Sequence, residues 1–185
     1  ELNEDKIQHM KELCRNKKVV AVGEIGLDYY WDNEPHEVQQ KWFIRQLKLA
    51  EEVKKPVIIH SREAAADTMY IMKNYAQGLG GVIHCYSYSR EMAEEYVKMG
   101  FYIGIGGVVT FKNAKKLKDV AAAIPIEKIV LETDCPYMAP EPYRGKRNQS
   151  SYIRYVAEKI AELKEMSLEE VIAVTEKNAR DLYGI

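Results

Sequence analysis

Four side chains able to bind a metal ion or move a proton, Glu24, His60, His84 and Asp134, each follow an apolar run of the kind that forms a buried strand. The runs are Val19-Val20-Ala21-Val22, Val57-Ile58-Ile59, Val82-Ile83 and Ile129-Val130-Leu131. In a parallel α/β sheet all strands end on one face, so residues in this shared slot are expected to converge on one site. Two imidazoles and two carboxylates form a mixed nitrogen and oxygen donor set suited to Zn²⁺, Mn²⁺ or Mg²⁺. Such an ion polarises a phosphoryl or carbonyl oxygen and makes hydroxide from water near neutral pH. Taken singly, His60 or His84 reads as a core histidine with its hydrogen bonds satisfied. Glu24 alone reads as a cap on a turn, and Asp134 as a brace for the turn that Pro136 enforces. The shared slot argues for a site, and His9 and His36, which fall on helical stretches, lack it.

The elements that must position these residues are legible in the apolar spacing. A first helix is expected over residues 4–15 behind Asn3, then a strand at 19–22 and a helix from Pro35 to Val53 with Val38, Trp42, Ile44, Leu47, Ala50 and Val53 inward. Further strands are expected at 57–60, 82–85, 101–105 and 128–132, with helices at 62–75, 90–99, 114–123 and 151–164. Ser89 caps one helix and Gly100 ends it, and Ser167-Leu168-Glu169-Glu170 is a capping-box pattern that opens the last. Five strands alternating with helices predict an α/β fold with a parallel sheet. A (β/α)₈ barrel typically takes ~250 residues, so this chain holds about five of eight units and begins on a helix, mid-pattern.

The 185 residues are 46% apolar and 30% charged, the balance of a single globular domain over 1–185, which argues against disorder and fibre. With 27 Lys and Arg against 28 Asp and Glu, the net charge of −1 supplies no global basic field, so a polyanion must be gripped locally. Arg62, two residues beyond His60, and Arg144, Lys146 and Arg147, near Tyr137 and Tyr143, are candidates to hold phosphate and stack on a base, with a solvated loop as the competing reading. Gly104-Ile105-Gly106-Gly107 lacks the third glycine of a dinucleotide fingerprint and the Lys-Ser/Thr of a phosphate loop, and is expected to let backbone pass close to a ligand. Tyr75, Tyr96 and Tyr155 fall at helical spacing and are expected in the core. Three cysteines, Cys14, Cys85 and Cys135, without C-x-x-C spacing fit reduced thiols in a cytoplasmic protein. No segment reaches the ~18 apolar residues of a membrane span.

Five linked stretches carry a family pattern: Gly23-Glu24-Ile25-Gly26-Leu27-Asp28-Tyr29, Pro56-Val57-Ile58-Ile59-His60-Ser61-Arg62, Val82-Ile83-His84-Cys85-Tyr86-Ser87, Gly104-Ile105-Gly106-Gly107 with Thr110-Phe111, and Leu131-Glu132-Thr133-Asp134-Cys135-Pro136-Tyr137. In this order they resemble the TatD family of metal-dependent deoxyribonucleases. The resemblance implies a TIM barrel of the metal-dependent hydrolase type, with divalent ions (Mg, Mn or Zn), two in the complete protein, bound by residues matching Glu24, His60, His84 and Asp134. It implies hydrolysis of phosphodiester bonds in DNA, and the leading expectation is a nuclease with Asp134 orienting or deprotonating the attacking water and Arg62, Tyr137 and Arg144 on the substrate. A hydrolase of small esters or amides on the same barrel, or an inactive fragment that binds metal weakly, are the alternatives. The family opens with a strand carrying His-x-His, and this chain has no such pair. Tyr88 stands where glycine is usual, and Ser150 and Ser151 where Asn-Glu-Pro is usual. The chain is therefore expected to be the C-terminal five-eighths of such a barrel, pairing with its missing N-terminal segment or with another copy of itself.

Overall fold

Asn3 stops the chain from unravelling at its first helix: its side-chain oxygen accepts the Lys6 N–H at 2.9 Å, and α1 (Glu4–Leu13) follows. The computed structural model describes residues 2–31 and 33–185. They group as two compact units, residues 1–83 with 182–184, and residues 84–181 with 185.

In the first unit α1 is followed by β1 (Val22–Asp28), α2 (His36–Val53), β2 (Val57–Arg62), α3 (Ala65–Tyr75) and β3 (Gly81–Ile83). β1 pairs with β2, and β2 with β3, both parallel. The expected first strand is shifted: it starts at Val22 rather than Val19 and runs on to Asp28. Its ladder with β2 is irregular between Val22 and Ile25, where Gly23 and Glu24 lie. Glu24 therefore sits on a bulge near the start of β1 and not at its end, and a bulge re-aims the side chain it carries. The close approach of β1 to β2 needs glycine. A Cβ on Gly23 would come within 2.6 Å of the Ile58 Cβ, and one on Gly26 (φ +146) would strike the His60 carbonyl.

β2 also departs from the expected two-sided burial, since Val57 and Ile59 are buried while Ile58 and His60 on the alternate face are half-buried. α3 starts at Ala65, three residues later than expected, because pairing of Asp28 with Arg62 holds the chain extended. α2 is rotated relative to the expected face: Phe43, Leu47 and Ala50 are fully buried, while Val38 is 38% exposed. A stripe at i, i+4 and i+7 from Phe43 is the more apolar solution. Truncating so buried an aromatic typically costs ~3–5 kcal/mol, whereas surface pairs such as Arg90–Glu94 and Arg154–Glu158 contribute ~0.5 kcal/mol or less. The core holds this fold.

The second unit contains α4 (Arg90–Lys98), β4 (Tyr102–Ile105), α5 (Lys115–Ala123), β5 (Ile129–Leu131), α6 (Ile153–Lys164) and α7 (Leu168–Tyr183), the last as far as Asp181. β4 and β5 pair parallel. The expected caps are present: Ser89 Oγ accepts the Met92 N–H, Gly100 takes φ +96, and Ser167 and Glu170 cap each other reciprocally at 3.2 and 2.9 Å. Buried Asn178 donates to the Ile126 and Ile129 carbonyls, both at 2.7 Å, and so staples α7 to the entry of β5. Tyr96 is in the core as expected, but Tyr75 is 41% exposed and Tyr155 half-buried. Gly107 faces protein and not a ligand, since a Cβ there would overlap the Met138 carbonyl oxygen. Strands alternating with helices, parallel in every described pair, make the fold α/β. Among the described residues no helix is long and apolar enough to cross a membrane.

Gly26→Ala is expected to destabilise the protein by at least ~2 kcal/mol, since it combines a strained φ with a clash. Thermal unfolding should show a Tm lower by on the order of 5 °C. Gly80→Ala, where an added Cβ meets open space, should leave Tm within about 2 °C.

Candidate metal centre

His60 is gripped from both sides of its ring. Nδ1 lies 2.7 Å from Glu24 Oε1 and Nε2 lies 3.1 Å from Asp28 Oδ2. The bulge at Gly23 and Glu24 presents the first carboxylate, and the last residue of β1 presents the second. Gly26 stands opposite His60 in the ladder and lets the β1 backbone pass close to the His60 carbonyl. The Glu24 hydrogen bond raises the His60 pKa above its ordinary value; burial opposes this and Asp28 reinforces it. Asp28 is itself fixed, because its N–H donates to Gln39 Oε1 at 2.9 Å and Gln39 Nε2 returns a bond to its carbonyl at 3.1 Å.

In the second unit His84 comes directly after β3 and is gripped in the same manner. Glu132 accepts the Cys85 N–H at 2.6 Å through Oε1 and the His84 Nδ1–H at 2.8 Å through Oε2. In the neutral ring that bond leaves the lone pair on Nε2, the atom that faces Asp134 Oδ1 at 3.7 Å. Cys85 (φ 44) and Asp134 (φ 52) both take the left-handed conformation, which aspartate tolerates better than most residues. Buried Asn148 holds the turn that carries Asp134, donating to the Thr133 and Tyr137 carbonyls, both at 2.7 Å.

The structure thus brings Glu24 to His60, and Asp134 to His84. In each case a second carboxylate that the sequence reading did not single out, Asp28 or Glu132, occupies the other ring nitrogen. Both were discoverable: Asp28 ends β1 and Glu132 immediately follows β5, the very slot used to select the others. A strand at 19–22 leaves Asp28 outside the strand-end slot, and a strand at 128–132 takes Glu132 into its body, whereas the structure ends β1 at Asp28 and β5 at Leu131. Because the two nitrogens of one ring point in opposite directions, the carboxylates flank each histidine instead of converging. Among the described residues, accordingly, no group of three or more His, Cys, Asp or Glu is set as a cage for a cation. The donor chemistry nevertheless fits a divalent ion. A carboxylate fixing one imidazole nitrogen, as Glu132 fixes Nδ1 of His84, is the usual support of a metal-ligating histidine.

The candidate substrate residues lie apart from these clamps in character. The Arg62 guanidinium stacks on Tyr30 at 3.8 Å, and that of Arg144 on Phe111 at 4.1 Å. Tyr137 is 71% exposed.

Two outcomes are expected. Glu24→Gln should lower the His60 pKa toward ~6.5, measured by NMR titration of its ring proton. Because the folded value is raised, the charged pair stabilises the metal-free protein fully below ~6.5 and loses its contribution as pH rises through the folded pKa. Glu132→Gln should weaken divalent-metal binding about 10- to 100-fold by calorimetry, the usual loss when such an orienting group is removed.

A family model described as TatD related DNase matches residues 1–184. The uncharacterized metal-dependent hydrolase YabD of Bacillus subtilis is 50% identical over 186 residues, covering 100% of this chain and 73% of that protein. YcfH of Escherichia coli, also an uncharacterized metal-dependent hydrolase, is 43% identical over 180 residues, covering 97% and 68%. Among solved structures, the TatD homolog YjjV of E. coli superposes with a TM-score of 0.91 at 32% identity over 100% of this chain and 72% of that one. A TatD family hydrolase from Entamoeba histolytica gives 0.81 at 26% identity, covering 96% and 68%. These likenesses agree with the α/β barrel class expected from the strand pattern. A match that runs from the first residue lends no support to the expectation of a missing N-terminal part. With the family pattern matched along residues 1–184 and half its positions identical in one relative, the chain belongs to the TatD family of metal-dependent hydrolases.

Proposed function

We propose that the chain is a deoxyribonuclease that hydrolyses phosphodiester bonds in DNA with divalent metal, and that it works in the cytoplasm. The observation that carries this reading is the His84 clamp, in which Glu132 fixes the ring so that Nε2 faces Asp134. In the first unit Glu24 and His60, and in the second His84 and Asp134, are the residues that would hold metal. Bound there, a divalent ion of the Mg, Mn or Zn class would polarise a phosphoryl oxygen and lower the pKa of water. Asp134, on its braced turn, orients the attacking water and takes its proton. Asp28 and Glu132 keep the two imidazoles in one tautomer and orientation, so that no reorganisation is needed as charge develops. Arg62, Arg144 and Tyr137 grip the substrate. Cys14, Cys85 and Cys135 form no disulfide, which supports a reducing compartment.

The net charge of −1 favours a second reading, a hydrolase of small esters or amides on the same clamps.

Cleavage of a labelled oligodeoxynucleotide by the purified chain should require added divalent metal and stop with chelator. Asp134→Asn should lower kcat by a factor on the order of 10² to 10⁴, the range for loss of a positioned acid–base group. Unchanged cleavage in that variant would remove Asp134 from the mechanism. Metal-dependent hydrolysis of p-nitrophenyl acetate with DNA left intact would favour the second reading.

A further inference from the structure

Beyond the clamps, the end of β1 carries an aromatic pair that the core does not use. Tyr30 is 50% and Trp31 63% exposed, and their rings meet edge to face at 5.0 Å and 88°. Arg62, opposite Asp28 in the strand ladder, lays its guanidinium over Tyr30 at 3.8 Å and lies 5.6 Å from the Trp31 ring. One carboxylate joins this cluster to the histidine. Asp28 Oδ1 accepts the Tyr30 and Trp31 N–H groups at 3.1 and 3.4 Å, while Oδ2 meets His60 Nε2 at 3.1 Å.

We propose that Tyr30, Trp31 and Arg62 form a subsite that stacks the nucleobase of the residue next to the scissile phosphodiester. The proposal rests on the phosphodiesterase reading above and names the part of the substrate that this site selects. Exposed aromatic rings give any base a π-face, and a guanidinium stacked flat on a ring keeps its N–H edge for a phosphate. A ring and an arginine so combined fit a nucleotide, which offers both a flat base and an anion within one residue. The Asp28 bridge sets the shelf at a fixed offset from His60, so a stacked base positions its own phosphate toward the metal-binding histidine. A base must be unpaired to lie on the shelf, so the subsite selects a strand end or a single strand over the interior of a duplex.

The test compares wild type with Trp31→Ala on two oligodeoxynucleotides, one with an ordinary terminal nucleotide and one with an abasic terminal residue. On the first, Trp31→Ala should raise KM roughly 5- to 150-fold, the range for loss of one base–aromatic stack, with kcat little changed. On the second, the two proteins should have equal KM. A readout independent of turnover is tryptophan emission without added metal: deoxyadenosine monophosphate should quench wild type and leave Trp31→Phe, which keeps only Trp42, unaffected. DNA cleavage with equal KM in both proteins and no quenching would overturn the shelf and leave the proposed activity standing. Quenching confined to Trp31 in a protein that cleaves no phosphodiester would instead overturn the activity and keep the shelf.

Discussion

An imidazole at a strand end has two polar nitrogens, and leaving either without a partner in a partly dry site costs free energy. His60, inside β2, and His84, directly after β3, both meet that demand with carboxylates on both sides. Much of the surrounding chain follows from it. For His60, β1 must bring two acidic residues four positions apart to opposite edges of one ring, which a regular strand does not do. The bulge at Gly23 and Glu24, and Gly26, whose missing Cβ lets β1 lie against the His60 carbonyl, make it possible. For His84, Glu132 reaches it directly after β5, and the chain then reverses through a left-handed Asp134. Asn148 closes that reversal by satisfying two carbonyls that the irregular turn would otherwise leave unpaired.

The two clamps divide the work in the same way. In each clamp one carboxylate, Glu24 or Asp134, faces one ring nitrogen, and a second, Asp28 or Glu132, faces the other. The second pair of carboxylates is itself anchored. Asp28 is bound through Gln39 and also caps the Tyr30 and Trp31 amides, and Glu132 accepts a backbone N–H besides its histidine. A residue that holds another in place must itself be held.

The caps, the helices and the α/β class follow from local rules that act over a few residues: Asn3, Ser89 and the Ser167–Glu170 pair each work through neighbours three positions away. The family pattern was legible for the same reason, since Gly23 to Tyr29 and Leu131 to Tyr137 are contiguous in the chain. Strand limits were less legible. Val19 to Val22 has the composition of a strand, yet pairing with β2 sets the strand from Val22 to Asp28, and a pairing partner 35 residues away leaves no mark on local composition.

The residue types that could hold a metal, and the apolar runs beside which they stand, were determined by the sequence alone, because strand periodicity and polar interruptions are local properties. Only the tertiary structure decided which carboxylate meets which nitrogen. Glu24 and Asp28 reach His60 across more than thirty residues of chain, and Glu132 reaches His84 across 48. Such pairings depend on ladder register and on the bulge, and both are fixed by how side chains pack between strands and helices. The same holds for Arg62, whose charge suggested a phosphate clamp and whose position over Tyr30 came from the parallel register of β1 with β2.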